Sequence, residues 1–587
     1  MLEQVREQWL DLVNDQLKEM QMEAGTGLDS IIKVGAQVPP KPEMGDIAFP
    51  LFALSKSLRK APAAIASELM SRLEKTDGRP DGQLLVAGPY LNVKIDTSSL
   101  AQSVYESISE RKDAYGQTDL YSGRKMMVEF SCPNTNKPLH LGHVRNDSIG
   151  SSISEILKAN GAQVMKVNLI NNRGVHICKS MLAYQRFGNG ETPQSSGKKG
   201  DHLVGDYYVK FAQWEKEDPT AVEQAQKMLE KWEAGDEDTV QLWKKMNDWT
   251  LQGLEESYRT MHISFDKYYY ESDTYKLGKD KILQGLADGI FYKEEDGSVW
   301  ADLSDIKLDK KVLLRKDGTS LYITQDIGTA ISRHDDWPFD SLTYVVASEQ
   351  KYHFQVLFHL LEKLGFDWAK ELHHLAYGMV FLPDGKMKSR EGTVVDADDL
   401  VANLASLARQ EIIEKQREDA LDDIDETASS IALGAMNYYL LQVDPLRDMV
   451  FNPSESISFN GNTGPYLQYM GARICSMMRK YDEVKAQYAD IPFDASLLDI
   501  SAERELIKSL ARYPEVVRKA GADFNPSVIC AYLYDVSKVF SSYYHDNQVL
   551  KAETPQLVKA RVELCSMVLQ VLRNAFTLVG IPFLEKM

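Results

Sequence analysis

The feature that most constrains this chain is a strand, a loop, a helix and a second strand compressed into residues 125–170: KMMVEF, a loop to His140, LGHVRNDSIGSSISEILKAN stopped by Gly161, then AQVMKVNLI. A crossover between two parallel strands of one sheet is right-handed almost without exception, so this unit by itself predicts a parallel sheet covered by its helix. Later text extends it: SLTYVVAS at 341–348 predicts a buried strand, YHFQVLFHLLEKLG a helix ended by Gly365, and LAYGMVFL at 375–382 a further strand. The expectation is a multidomain α/β protein whose Rossmann-like, doubly wound parallel sheet occupies 116–405, split by an insertion at about 175–300. Within the insertion GNGETPQSSGKKGD reads as a flexible loop, and Trp214, Trp232, Trp243 and Trp249, set in charged helical text, read as packing anchors.

A chain of 587 residues exceeds what one core supports, and three or four domains are expected. Residues 1–115 predict a small α+β domain: an opening helix, two amphipathic runs in MGDIAFPLFALSKSLRKAPAAIASELMSRLEK interrupted by Pro62, and a Gly-Pro turn into the strand of GPYLNVKID. From 406 to 587 the text is helical nearly throughout, predicting an all-helical C-terminal domain. No window approaches the ~20 apolar residues that cross a bilayer, and MLEQVREQWLDLVNDQLKEM lacks the apolar centre of a secretory signal, so a cytoplasmic location and no membrane partner are expected. Cys132, Cys178, Cys475, Cys530 and Cys565 are scattered singly, which argues against a disulfide framework or a zinc site. The net charge of −19 argues against indiscriminate polyanion binding and leaves room for a specific nucleic-acid partner on local basic faces.

His140 and His143, three apart at the start of the βαβ helix, face the same way near unpaired backbone N–H groups. At that place in an open α/β sheet a helix N-terminus favours an anion, with phosphate as the best candidate; Gly142 permits close approach and Pro138 restricts the entering chain. A metal would need a third ligand, and an isolated pair can be simple polar surface. A second segment, YGMVFLPDGKMKSREGTVVDADDL at 377–400, sets Lys386, Lys388 and Arg390 after a strand of the same sheet, where cations would stabilise charge on a departing pyrophosphate.

HLGH at 140–143 and KMKSR at 386–390 resemble the two signatures of class I aminoacyl-tRNA synthetases. EFSCPNTNKPLHLGHVRN resembles the form found in arginyl-tRNA synthetases, NTGPYLQYMGARI at 462–474 that family's helical anticodon-binding domain, MGDIAFPLFALSK with GPYLNVKI its N-terminal tRNA-elbow domain, and LVGIPFLEKM its C-terminus. The resemblance implies activation of L-arginine by ATP with Mg²⁺, no resident zinc, transfer to tRNA(Arg), and a monomer. By the same resemblance His140, His143 and Gly142 would bind ATP, Met379 and Val380 would offer backbone contacts to adenine, and Lys386 and Lys388 would meet phosphates. Asn134, Glu271, Tyr322, Asp326 and Gln350 would form the arginine pocket, a set resting on alignment rather than spacing; carboxylates, amide oxygens and an aromatic face suit a guanidinium.

Two departures from the family pattern stand out. Ser389 replaces the second lysine of the basic signature, as in many members, which instead place a lysine just ahead of the His pair; Lys137 holds that place here. Asn172 stands where the family usually has an Asp. Tyr466, Gln468, Tyr469 and Arg473, with Arg479, Lys480 and Lys485 nearby, would meet tRNA, or the same helix packs its tyrosines inside. A small-molecule nucleotidylyltransferase shares the HxGH pattern but is generally shorter, and a non-catalytic tRNA-binding relative would not be expected to keep Lys137, His140, His143 and Lys386.

Overall fold

A computed structural model describes residues 2–383, 395–417 and 421–587. The chain divides into two compact units: residues 1–116 with 473–516 and 533–574, and residues 117–472 with 517–532 and 575–587.

In the first unit, helix α1 (Leu2–Glu23) buries Trp9, Val13 and Leu17 at helical spacing. Strands β1 (Ile47–Pro50), β2 (Gly82–Ala87) and β3 (Tyr90–Ile95) form an antiparallel sheet in the order β1-β3-β2. The first of the two expected amphipathic runs is corrected here: it holds strand β1 and only a short helical turn, Ser55–Leu58, and Pro62 opens helix α2 (Pro62–Leu73), where its missing N–H costs nothing. The Gly88-Pro89 turn closes a hairpin, so β3 has a partner strand β2 that the sequence reading missed.

The second unit is organised by a five-stranded parallel sheet of β4 (Lys125–Glu129), β5 (Gln163–Ile170), β6 (Lys267–Tyr270), β7 (Ser341–Ala347) and β8 (Leu372–Tyr377), ordered β8-β7-β4-β5-β6. Helix α3 (Leu141–Ala159) is the crossover from β4 to β5. The chain runs outward from β4 to β6 and then returns to β7 on the other flank, so the strand order reverses between β4 and β7. The crevice beyond the carboxyl ends of strands at such a point is where ligands bind. One face is sealed by a cluster that includes Met127, Val167, Ile327, Leu342, Leu357 and Leu360; each such side chain, fully buried, contributes about 1.5–3 kcal/mol before entropy is counted.

Helices α4 (Val175–Phe187), α5 (Gly200–Glu217), α6 (Thr220–Glu233) and α7 (Glu237–Thr260) build the insertion, and Trp214 is buried in its core with Trp243 and Trp249 packed alongside. Strand β6 lies inside the predicted insertion because KYYY is too short to alternate visibly. A small antiparallel sheet of Tyr292–Lys293, Val299–Ala301 and Lys311–Leu314 was also not expected. The predicted strand 375–382 is in fact two. Its break at Gly378 lies where a Cβ would sit 2.3 Å from the backbone of Arg447. Helix α8 (Tyr322–Asp336) precedes β7, and α9 (Lys351–Lys363) follows it. The helical text beyond 406 folds as helices, but residue 405 falls inside a continuous helix, Ala397–Glu414.

Candidate active site

The end of β4 runs through Ser131 and Cys132 to His140, the N-cap of α3. The His140 ring accepts the Gly142 N–H at Nδ1 (3.1 Å), and the His143 ring accepts the His140 N–H at its own Nδ1 (3.2 Å). Two donors of the helix end are thereby satisfied by imidazoles. A neutral imidazole that accepts at Nδ1 carries its proton at Nε2, so both rings hold an N–H donor free of the cap. Burial keeps them neutral: His140 is brought down to about 4 by burial and the nearby Lys137 charge, and His143 is lowered well below its ordinary value by burial, His140 and Lys137. Gly142 is required for this arrangement, since a Cβ there would lie 2.9 Å from the His140 ring. The observed neighbour of Gly142 is therefore His140.

Lys137 enters the same corner half-buried. Burial lowers its ammonium, and among the described residues no carboxylate pairs with it. It lines a cavity of about 170 Å³ together with His140, His202, Tyr208 and Asp396. Asp201, His202 and Asp398 bring ligand atoms within 4.8 Å of one another beside it. The Lys199 ammonium lies in that cluster, 3.3 Å from Asp201, 2.5 Å from Asp398 and 2.5 Å from Ser257, and offsets part of its negative charge.

The residues expected to hold arginine come from four places on the carboxyl side of the sheet. Asn134 is exposed and bridges Asn171 just beyond β5. Glu271 follows β6, and burial pushes its carboxyl up to about 7, with Arg173 drawing it down and Asp326 adding to the rise. Tyr322, 73% exposed, and Asp326 share α8 one turn apart. Gln350 is exposed in the turn after β7, and His353 in the next helix meets Asp326 at 2.6 Å through Nε2. Asn172 acquires a clear role: its amide accepts the Ser272 N–H (2.9 Å) and donates to the Ser272 hydroxyl (3.1 Å), fixing the residue next to Glu271.

The adenine expectation needs amendment at Met379. Its N–H donates to Asp448 (2.7 Å), and its carbonyl accepts from Met449 N–H (2.9 Å) and from Arg145 (3.0 Å), so its backbone is committed. The carbonyls of Met379 and Phe381 both point to the strand Met449–Val450; by the pleat, Val380 between them turns its own groups the other way. Arg145, unremarked in the sequence, is fully buried and donates to the carbonyls of Gly378 (2.6 Å), Met379 and Arg447 (2.7 Å), tying α3 to this corner. On the other side, Leu141 N–H bonds Val395 O (3.2 Å) and Ala397 N–H bonds Leu139 O (3.0 Å), so both flanks of the basic segment run beside the His140 corner. Lys386, Lys388, Ser389 and Arg390 lie outside the described residues.

Of the residues expected to meet tRNA, Gln468 is excluded: it is fully buried and donates to the carbonyls of Ser430 (3.0 Å) and Pro582 (2.9 Å). Tyr466 and Tyr469 are half-buried on the helix Gly464–Asp482, with the Arg417 guanidinium 5.2 Å from the Tyr469 ring. Arg473 lies over the Tyr544 ring at 5.3 Å, Arg479 and Lys480 are exposed, and Lys485 pairs with Asp482 at 3.0 Å. Among the described residues no helix is long and apolar enough to cross a membrane.

Comparison with known proteins places these observations. Residues 105–453 match the family model for the catalytic domain of class I tRNA synthetases (R), 467–587 that for the DALR anticodon binding domain, and 7–95 that for the arginyl tRNA synthetase N terminal domain. The chain is 53% identical over its whole length and that of its relative to the arginine–tRNA ligase of Treponema denticola, and 45% identical to that of Borrelia hermsii over 98% of each chain. It is similar to the solved structure of the Thermus thermophilus arginyl-tRNA synthetase, with a TM-score of 0.79 and 26% identity over 99% of this chain and 100% of that one.

Proposed function

This chain belongs to the class I arginyl-tRNA synthetase family, and from that premise we propose how its residues divide the work of joining arginine to tRNA. The reaction uses ATP, arginine and tRNA. An oxygen of the arginine carboxylate bonds to the α-phosphorus, the bond to the β-phosphate oxygen breaks, and pyrophosphate leaves. A terminal ribose hydroxyl of tRNA(Arg) then takes the arginyl group and AMP departs. Neither step needs a nucleophile from the protein, so catalysis reduces to placing groups and stabilising charge.

The observation that carries the assignment of residues is the pair of neutral imidazoles, each fixed through Nδ1 to the helix cap. Their Nε2–H groups donate to ATP phosphates without adding charge, and Lys137, whose ammonium has no carboxylate partner among the described residues, takes the charge that grows on the departing pyrophosphate. Mg²⁺ enters with ATP as part of that substrate, and no zinc is required. Val380 receives adenine by its backbone. Asn134, Glu271, Tyr322, Asp326 and Gln350 surround the arginine, the carboxylates meeting its guanidinium. Residues 1–115 serve the tRNA elbow, 116–405 the chemistry and 406–587 the anticodon, where Tyr466, Tyr469 and Arg473 are the contacts we retain. A cytoplasmic monomer fits five free cysteines and the family's usual form.

Amino-acid-dependent ATP–pyrophosphate exchange across the standard amino acids, with and without tRNA, tests this reading. Exchange with arginine alone is expected; exchange with another amino acid overturns the substrate.

Glu271 adds a pH signature. With its carboxyl pushed up to about 7, it takes a proton below that pH and loses the charge that attracts the guanidinium, which stays protonated throughout. The arginine KM is therefore expected to rise as pH falls from 8 to 6, approaching about tenfold per unit below 7. Glu271→Gln should show a high KM at every pH. A sloping KM profile in that variant would assign the titration to another group.

A further inference from the structure

Two consecutive residues at the mouth of β4 hold left-handed backbone: Ser131 at φ 74° and Cys132 at φ 49°. Neither is glycine, and side chains pay for that conformation through contact with the following carbonyl. Such a pair persists only where the surroundings over-determine it, and it tends to occur at functional sites.

The surroundings here are three asparagines. Asn146 Oδ1 accepts the Ser131 N–H at 2.5 Å, and its Nδ2 donates to Val345 O in β7 at 2.7 Å. Asn168 Oδ1 accepts the Cys132 N–H at 3.1 Å, and its Nδ2 donates to the Tyr258 hydroxyl, which also bonds Ser131 Oγ at 2.6 Å. Asn171 Nδ2 donates to Cys132 O at 2.9 Å. Ser131, Asn146 and Asn168 are buried, so the two bonds of the Asn146 amide do not compete with water, while Asn171 closes the turn from its half-exposed side. An amide is the side chain that accepts and donates at once; an aspartate at 146 would leave Val345 O without its donor.

We infer that Asn146, Asn168 and Asn171 are positioning residues of the activation step: they hold Ser131 and Cys132 left-handed, and that turn aims Asn134 at the amino acid and Lys137 at the phosphates. The inference rests on the pocket reading given above. The turn is directly continuous with the residues it aims. Asn171 N–H bonds Pro133 O at 2.9 Å and Thr135 N–H bonds Asn171 O at 3.1 Å, so the backbone on both sides of Asn134 is pinned to Asn171. Asn146 stands on the helix that carries His140 and His143, so one element sets both the phosphate donors and the direction of the loop leading to them. A turn relaxed to right-handed backbone would redirect the chain from Pro133 onward, and misplacement of about 1 Å at a reacting group can cost about a hundredfold.

The test measures arginine KM, kcat for pyrophosphate exchange and melting temperature in full-length variants. Asn168 is buried enough that Asn168→Ala can fail to fold, so the informative variant is the half-exposed Asn171, with Cys132→Gly as its partner. Asn171→Ala is expected to worsen kcat/KM about tenfold or more with a small change in melting temperature. Cys132→Gly, which removes the bias against left-handed backbone, is expected to recover most of that loss in the double variant. A merely structural amide would lose stability instead and gain nothing from glycine. Asn134→Ala, run alongside, separates the two levels of the argument. A normal arginine KM there overturns the pocket reading. A raised KM there with wild-type kinetics for Asn171→Ala, or a loss that Cys132→Gly leaves untouched, overturns the clamp alone.

Discussion

Lys137→Ala is expected to slow arginine-dependent ATP–pyrophosphate exchange by about a hundredfold to a thousandfold while moving the arginine KM less than about threefold. The size follows from where the ammonium sits and what it lacks. It is half-buried, among the described residues it has no carboxylate, and burial already lowers its pKa. An ammonium neutralised by a neighbour would gain little from a phosphate; this one gains most when negative charge accumulates beside it, and that accumulation is greatest as pyrophosphate departs. His140 and His143 cannot substitute, because both are held neutral and act as dipolar donors. Lys137→Arg keeps charge in a larger, planar group and should recover the rate only in part. The measurement is steady-state exchange with arginine and ATP varied independently. A loss confined to the ATP KM would make Lys137 a binding residue, and an unchanged kcat would remove it from the chemistry.

The residues of this site differ in how far the sequence disclosed them, and the differences have physical causes. The βαβ unit was legible because its periods switch cleanly from strand to helix and Gly161 stops the helix; Gly161 indeed takes φ 88°. The place of His140 and His143 at the helix start followed from that. Which ring nitrogen stays free did not follow, since it depends on the extended backbone of His140 as an N-cap. Gln468 shows the converse failure: its helix has a buried face, and nothing in NTGPYLQYMGARI says that position 468 lies on it. At Met379 the text marks a strand but not its partner Met449–Val450 or Asp448, which take the backbone groups that adenine would need. Arg145, Glu129 and Arg333 carry no local signal, because their partners lie 204 or more residues away, beyond any local pattern.

The last of these predicts the largest loss of stability. Arg333→Met is expected to destabilise the second unit by about 3–5 kcal/mol, because it strands a buried carboxylate whose one salt-bridge partner among the described residues has been removed. Glu129 is 4% exposed and Arg333 1%, and they form a direct ion pair between β4 and α8. The guanidinium also lies 5.0 Å from the Tyr269 ring and 5.9 Å from that of Tyr344, so one side chain joins α8 to three strands. Burial raises the Glu129 carboxyl, and the Arg333 charge opposes that rise. Without Arg333 the carboxyl rises further and the folded state holds a proton that the unfolded chain releases. A raised folded pKa means stability retained at low pH and lost as pH climbs through it, so Arg333→Met should melt closer to wild type at pH 6 than at pH 8. Glu129→Gln added to Arg333→Met removes the stranded charge; it should recover part of the loss at pH 8 and flatten the difference between the two pH values. If the double variant keeps the full loss and the same pH slope, another group is titrating. Seven residues before Arg333 on the same helix stands Asp326, so the pair that holds α8 in place also holds one wall of the proposed arginine pocket. The arginine KM of Arg333→Met should therefore rise at temperatures well below its melting transition, where a loss of stability alone would leave it unchanged.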